Sequence, residues 1–127
     1  MKKVILITGA SSGIGKDTAL SLIKHGHVVY GVARRLEMMK DIIHAGGHAI
    51  KMDILKERNI DDVVNKIIKE QSRVDVLINN AGYGLWGAVE TISIDEAKRQ
   101  FNVNIFGLAY LTKKIIPIMR KQKSGKI

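Results

Sequence analysis

Apolar and polar positions follow two rhythms along this chain: short unbroken apolar runs, and longer stretches with apolar residues every third or fourth place. Lys3–Thr8 (KVILIT) is a continuous β-branched run, the pattern of a strand buried on both faces. Gly13–His25 then carries Ala19, Leu22 and Ile23 at helical spacing, with Gly26 as a C-terminal stop. The alternation repeats. His27–Val32 reads as a second strand, Leu36–Ala45 as a short helix ended by Gly46-Gly47, and His48–Met52 as a third strand. Lys56–Gln71 places Ile60, Val63, Val64, Ile67 and Ile68 on one side of a helix, and Val74–Ile78 is a fourth strand. Ile92–Gln122 is mostly helical, with Ser93 and Glu96 spaced as a capping box. Pro117 removes a backbone donor there and is expected to kink or shorten the end. Gly125-Lys126-Ile127 reads as the opening of a fifth strand.

Strand–helix alternation with short connections requires right-handed parallel crossovers. The expected fold is therefore α/β, a Rossmann-type doubly wound parallel sheet with helices on both faces and strand order 3-2-1-4, one mononucleotide-binding half. No internal repeat or linker divides residues 1–127, which are read as the N-terminal part of a single dinucleotide-binding domain.

Composition narrows the function classes. With 46% hydrophobic residues and 12 glycines in 127 residues, the chain is globular. It has no cysteine, which excludes disulfides and thiolate metal sites. The four histidines lack metal-type spacing, so no metal is expected. The apolar run Val4–Ile7 behind Lys2-Lys3 is too short for a signal peptide, and no stretch approaches the roughly 18 apolar residues of a membrane span. A cytoplasmic protein with no membrane partner is expected. The net charge of +9 is scattered, apart from a cluster between Lys113 and Lys126. No aromatic residues interleave with that cluster, which favours a solvated face over a nucleic-acid site.

Candidate chemistry begins after the first strand, in Thr8-Gly9-Ala10-Ser11-Ser12-Gly13-Ile14-Gly15. Glycines at 9, 13 and 15 depart from the common G-x-G-x-x-G spacing but keep its physical logic. Gly9 permits the tight turn, Gly13 lets a pyrophosphate approach the backbone, and Gly15 lets the helix pack closely on the strand. The helix that follows aims free N–H groups and its positive dipole end at the anion. A plain Gly/Ser loop is the bland alternative, disfavoured by the register between a buried strand and an amphipathic helix.

These residues resemble the classical short-chain dehydrogenase/reductase family. TGASSGIG matches that family's cofactor motif T-G-x-x-x-G-x-G, Asn79-Asn80-Ala81-Gly82 its second motif, and Asn104 its helix asparagine, in family order over nearly the whole chain. The resemblance implies that Gly9, Ser11, Ser12, Gly13 and Ile14 line the cofactor phosphates and ribose, with Gly15 supporting the turn. It implies that Asp53 hydrogen-bonds the adenine amino group with Ile54 beside it, and that Asn80, Ala81 and Gly82 pass under the cofactor ribose. From the residues alone, Asp53 is equally a helix N-cap and NNAG equally a strand-end turn. The family's catalytic serine and Tyr-x-x-x-Lys come after a fifth strand, so the chain is expected to be the N-terminal half of such an enzyme and inactive alone. Of the proton relay, Asn104 is the member expected here.

The resemblance thus implies hydride transfer between a nicotinamide cofactor and a small-molecule alcohol or carbonyl, with Tyr83, Leu85 and Trp86 at the substrate pocket's edge. A non-catalytic nucleotide-binding module is the alternative, and a basic nucleic-acid-binding protein ranks below both. NADP(H) is expected over NAD(H). An NAD-selective site needs a carboxylate at the end of the second strand, where this chain has Ala33 followed by Arg34-Arg35. Arg34 is assigned to the 2′-phosphate with Ser12 as second contact, and Arg35 is read as a solvated helix-start residue.

The helix Asn102–Met119 is expected to carry two apolar stripes. Phe101, Ile105, Leu108, Ile115 and Met119 face the sheet; Val103, Phe106 and Tyr110 face away, toward another subunit of a homodimer or homotetramer. Tyr110 and Lys114, though spaced Tyr-x-x-x-Lys, then point away from the cofactor and are assigned a packing role.

Overall fold

A computed structural model describes residues 1–127. Its strands are β1 (Val4–Thr8), β2 (Val28–Ala33), β3 (His48–Lys51) and β4 (Val76–Ile78). They form one parallel sheet in the order β3-β2-β1-β4, as the alternation requires. Lys126 adds a parallel bridge to Val76 on the free side of β4, where the opening of a fifth strand is expected.

Side chains of β1 alternate between two layers. Ile5 and Ile7, with Val29 of β2, pack against α1 (Gly13–Lys24) and α2 (Lys40–His44) through Ala19 and Ile42. Val4 and Leu6, with Tyr30 and Val32, pack against α3 (Glu57–Gln71) and α5 (Leu108–Gln122). On α3 the buried residues are Ile60, Val63, Val64 and Ile67, as the spacing predicts. Each such side chain removed from water contributes about 1.5–3 kcal/mol, enough to hold α3 firmly on the sheet. No helix is long and apolar enough to cross a membrane.

Three features depart from the sequence reading. The Leu36–Ala45 segment splits into a 3-10 turn, Leu36–Met39, and the short α2. Pro117 does not shorten α5, which runs on to Gln122. Pro117 and Lys113 are both exposed, so water can take the carbonyl freed by the missing N–H.

The third departure is the largest. Between α4 (Ile94–Phe101) and α5 lies a π-helical turn, Asn102–Gly107. A π turn adds a residue and shifts the helical phase by roughly 100°. The buried stripe of α5 is therefore Leu111, Ile115 and Met119, while Phe101 and Ile105 are exposed rather than sheet-facing. Gly107 sits at the turn's end because an added Cβ would lie 2.7 Å from the Ile54 carbonyl oxygen. At the start of α4, Ser93 and Glu96 form the expected capping box.

Candidate nucleotide site

At the C-terminal ends of the strands lies a cleft of about 820 Å3, the place where open parallel sheets bind ligands. The β1–α1 turn forms its floor. Gly9 adopts φ +66°, and a Cβ there would meet Asn80 Nδ2 at 2.8 Å and Ala81 Cα at 3.0 Å. Gly15 faces the same constraint from the other side, since its Cβ would overlap the Gly9 carbonyl and Asn80 Nδ2. Gly13 differs. Its φ is +55° and an added Cβ would meet nothing within 4 Å, so its bare backbone fronts open space. Ser12 precedes α1 in an extended conformation and makes no side-chain capping bond, leaving the first turn's N–H groups free of side-chain partners.

This floor is locked to the loop after β4 by a residue the sequence reading left without a role. Thr8, 1% exposed, accepts the Asn80 and Ala81 N–H groups on Oγ1 at 3.0 and 2.9 Å. Asn80 returns the link, its side-chain amide donating to the Thr8 and Gly9 carbonyls at 3.2 Å each. Asn79 points the other way, donating to Thr112 Oγ1 on α5 at 3.1 Å. The Thr8–Asn80 bonds span about 70 residues of sequence and the Asn79 bond 33, and no local pattern announces them.

Gly9, Ser11, Ser12, Gly13, Ile14, Arg34, Asp53, Ile54, Asn80, Ala81 and Gly82 all line the cleft, as do Tyr83 and Leu85. Gly15 is buried beneath it. Asn104 stands behind the loop rather than in the cleft. From the π turn its Oδ1 accepts the Tyr83 N–H at 3.0 Å and its Nδ2 donates to the Tyr83 carbonyl at 2.6 Å. Both ends of that amide are thus engaged with one backbone residue, which fixes the loop.

At the mouth of β2, Arg34 and Arg35 both line the cleft and neither is paired with a carboxylate. Arg35, read from sequence as merely solvated, therefore belongs to the same wall. Asp53 uses Oδ1 to accept the Leu55 N–H at 3.0 Å, and its own N–H donates to Asn59 Oδ1 at 3.1 Å.

Tyr110 and Lys114 form a separate cluster outside this cleft. The Tyr110 hydroxyl donates to the Asp61 carboxylate on α3, 3.1 Å from each oxygen, and Lys114 Nζ lies 3.1 Å from Asp61 Oδ1. The Asp61 carboxylate, and then the Tyr110 hydroxyl, hold the Lys114 ammonium above its ordinary pKa. Tyr110 thus faces α3 of its own chain and packs on the core, not outward as the uninterrupted helical phase predicts.

Comparison with known proteins agrees with this geometry. The family described as short chain dehydrogenase matches residues 3–127. A 3-ketodihydrosphingosine reductase of Bacteroides thetaiotaomicron is 42% identical over 125 residues, covering 98% of this chain and 45% of that protein. The crystal structure of a 3-ketoacyl-(acyl-carrier-protein) reductase from Brucella melitensis, complexed with NADH, superposes with a TM-score of 0.89 at 33% identity, covering 94% of this chain and 51% of that one. An actinorhodin polyketide ketoreductase with NADPH superposes with a TM-score of 0.90 at 30% identity, covering 98% and 51%. The chain spans about half the length of the relatives it matches.

Proposed function

The chain belongs to the short chain dehydrogenase family, and from that premise we propose that it supplies the cofactor-binding part of an oxidoreductase acting on an alcohol or carbonyl with NADP(H). The observation that carries the NADP(H) preference is the mouth of β2. Two unpaired guanidiniums line the cleft there, where an NAD-selective site uses a carboxylate to hold the ribose 2′-hydroxyl. A guanidinium forks around a phosphate; Arg34 takes this role, with Ser12 as second contact. Known neighbours carry either NADPH or NADH, so the preference rests on these side chains.

The rest of the site fits a dinucleotide. The open backbone at Gly13 and the start of α1 receive the phosphates, with Gly9, Ser11 and Ile14 around them and Gly15 behind. Asp53 offers a carboxylate oxygen to the adenine amino group, with Ile54 alongside. Asn80, Ala81 and Gly82 form the surface under the ribose. Bound, the dihydronicotinamide supplies the hydride. Asn104 holds the Tyr83 backbone, and Tyr83 and Leu85, which line the cleft, are assigned to the edge of the substrate pocket; Trp86, 95% exposed, lies outside that lining. A cytoplasmic setting, without membrane or nucleic-acid partner, completes the reading.

Fluorescence titration tests it. The full-length protein should bind NADPH about tenfold or more tighter than NADH, and Arg34→Ala should remove most of that difference. An unaltered ratio in Arg34→Ala would defeat the assignment. Tight NADPH binding without reduction of any carbonyl by the full-length protein would make it a nucleotide-binding module instead.

Self-association as a homodimer or homotetramer belongs to the same proposal. Phe101, Ile105 and Phe106 are 58%, 51% and 63% exposed along the α4–π turn surface, an apolar stripe without a partner in this chain. Sedimentation of Phe106→Glu should show smaller species than the parent protein; a parent already monomeric at micromolar concentration refutes this.

A further inference from the structure

We propose that Asn59, which lies outside the cleft, is the positioning residue that fixes Asp53 for recognition of the adenine amino group. The inference rests on the role given to Asp53 above. Met52 is the last residue after β3 to stay on the sheet, its N–H donating to the Ala33 carbonyl at 2.8 Å. Asp53 is the first residue beyond the reach of β2, and its N–H needs another acceptor. Asn59 supplies it through Oδ1 at 3.1 Å.

Three bonds hold Asp53. Its carbonyl accepts the Lys56 N–H at 3.0 Å, and its Oδ1 accepts the Leu55 N–H at 3.0 Å. Both of those lie within the turn 53–56 and move with it. Asn59 gives Asp53 its own bond to a rigid element, whereas the far end of the turn is tied through the Lys56 carbonyl, which accepts the Ile60 N–H at 3.2 Å. Asn59 is the third residue of α3, next to Ile60, which is 0% exposed in the core. Lys56 at the helix N-cap makes no side-chain capping bond, so nothing else joins this turn to the helix through a side chain. With Oδ1 committed to Leu55, the remaining carboxylate oxygen has no partner in the protein, and Asp53 lines the cleft. A contact to one amino group demands placement within about 0.5 Å, which the two bonds internal to the turn do not by themselves give Asp53.

The experiment compares NADPH with its hypoxanthine analogue, in which the 6-amino group is replaced by oxygen, on the full-length protein. In the parent protein the analogue should bind about tenfold more weakly, the worth of one hydrogen bond to a charged acceptor. Asn59→Ala should bring that ratio below about threefold, because a loosened Asp53 no longer distinguishes the two bases. Asn59→Asp, which keeps an acceptor at the same reach, should restore most of the ratio. A purely structural Asn59 would lower thermal stability and leave the ratio alone. Asn59→Leu replaces the alanine variant if that one fails to fold.

A parent ratio near one refutes the role of Asp53 itself. A parent ratio near ten that survives in Asn59→Ala refutes the positioning role while leaving Asp53 in place. A ratio lost in Asn59→Ala and not restored by Asn59→Asp also refutes it, since the acceptor would then not be what matters.

Discussion

Removing the Asp75 carboxylate tests how the sheet is held at the end opposite the cleft. Asp75 is 4% exposed, and its Oδ2 accepts the Val4 N–H, the first amide of β1, at 2.8 Å. Arg73 Nε donates to both carboxylate oxygens at 3.0 and 3.1 Å, and Arg73 Nη2 donates to Oδ1. Burial by itself would raise the Asp75 pKa. The Arg73 and Val4 hydrogen bonds, with the charges of Arg73 and Lys3, outweigh it and hold the carboxyl below its ordinary value.

Asp75→Ala strands the Val4 N–H, at about 1–3 kcal/mol for a buried unpaired donor. Losing one partner of a fully buried ion pair costs about 3–5 kcal/mol, but the Arg73 side chain is 49% exposed and can rehydrate. The expected loss is therefore about 2–3 kcal/mol, and Asp75→Asn, which keeps an acceptor for Val4, should lose about half as much. Urea unfolding at pH 7 measures both. Because the folded pKa is depressed, this stability is present above the unfolded value near 3.9 and is lost as pH falls through the folded one. The gap between the parent protein and Asp75→Ala should narrow from pH 6 to pH 3. A loss under about 0.5 kcal/mol at pH 7, or a gap that stays constant with pH, refutes the reasoning.

Three further outcomes follow from other elements. Burial of Tyr30, then its hydrogen bond to Glu70, pushes its hydroxyl up to about 12, so the fold binds that proton more tightly than the unfolded chain. Its contribution should be complete below pH 10 and lost between pH 10 and 12, and pH-dependent unfolding should show this loss in the parent protein but not in Tyr30→Phe. Gly9→Ala places a side chain at φ +66° against Asn80 and should cost about 2–4 kcal/mol in thermal unfolding while sharply weakening NADPH binding. Tyr110→Phe removes a hydroxyl bonded to Asp61, which Lys114 still neutralises, so steady-state assays should show turnover within about twofold and unfolding a loss of about 1 kcal/mol.

Where a residue's role follows from local pattern, the sequence was enough. The buried run Val4–Thr8 became the central strand, α3 buried the side its spacing marks, and the Gly9–Gly15 register produced a positive-φ turn beneath a cleft. Side-chain bonds between distant segments were illegible. Thr8 looked like the last letter of a strand, yet it joins the β1 turn to the loop after β4. Asn59 lies unremarked inside the stretch Lys56–Gln71, read only as a helix, yet it accepts the amide of Asp53. Asp75 lies unremarked inside the run Val74–Ile78, read only as a strand, yet it anchors Val4. Each role depends on which chain segment folds alongside, and hydrophobic periodicity carries no record of that.

The π turn shows how one unseen residue of phase propagates. A wheel drawn at 100° per residue from Phe101 assumes an unbroken α-helix, and it put Phe101, Ile105 and Ile115 on one stripe. Six residues of wider helix at Asn102–Gly107 rotate everything beyond them. Two consequences follow. Tyr110 turns toward α3 and finds Asp61, which removes it from the apolar surface assigned to a partner subunit. Ile105 turns out to join Phe101 and Phe106 on that surface instead. The same widening sets Asn104 opposite Tyr83, close enough for its amide to engage both backbone groups. Neither outcome needed a change of hydrophobic pattern. The backbone irregularity thus does two jobs at once: it aims Asn104 at the loop bordering the cleft, and it decides which aromatic side chains remain outside.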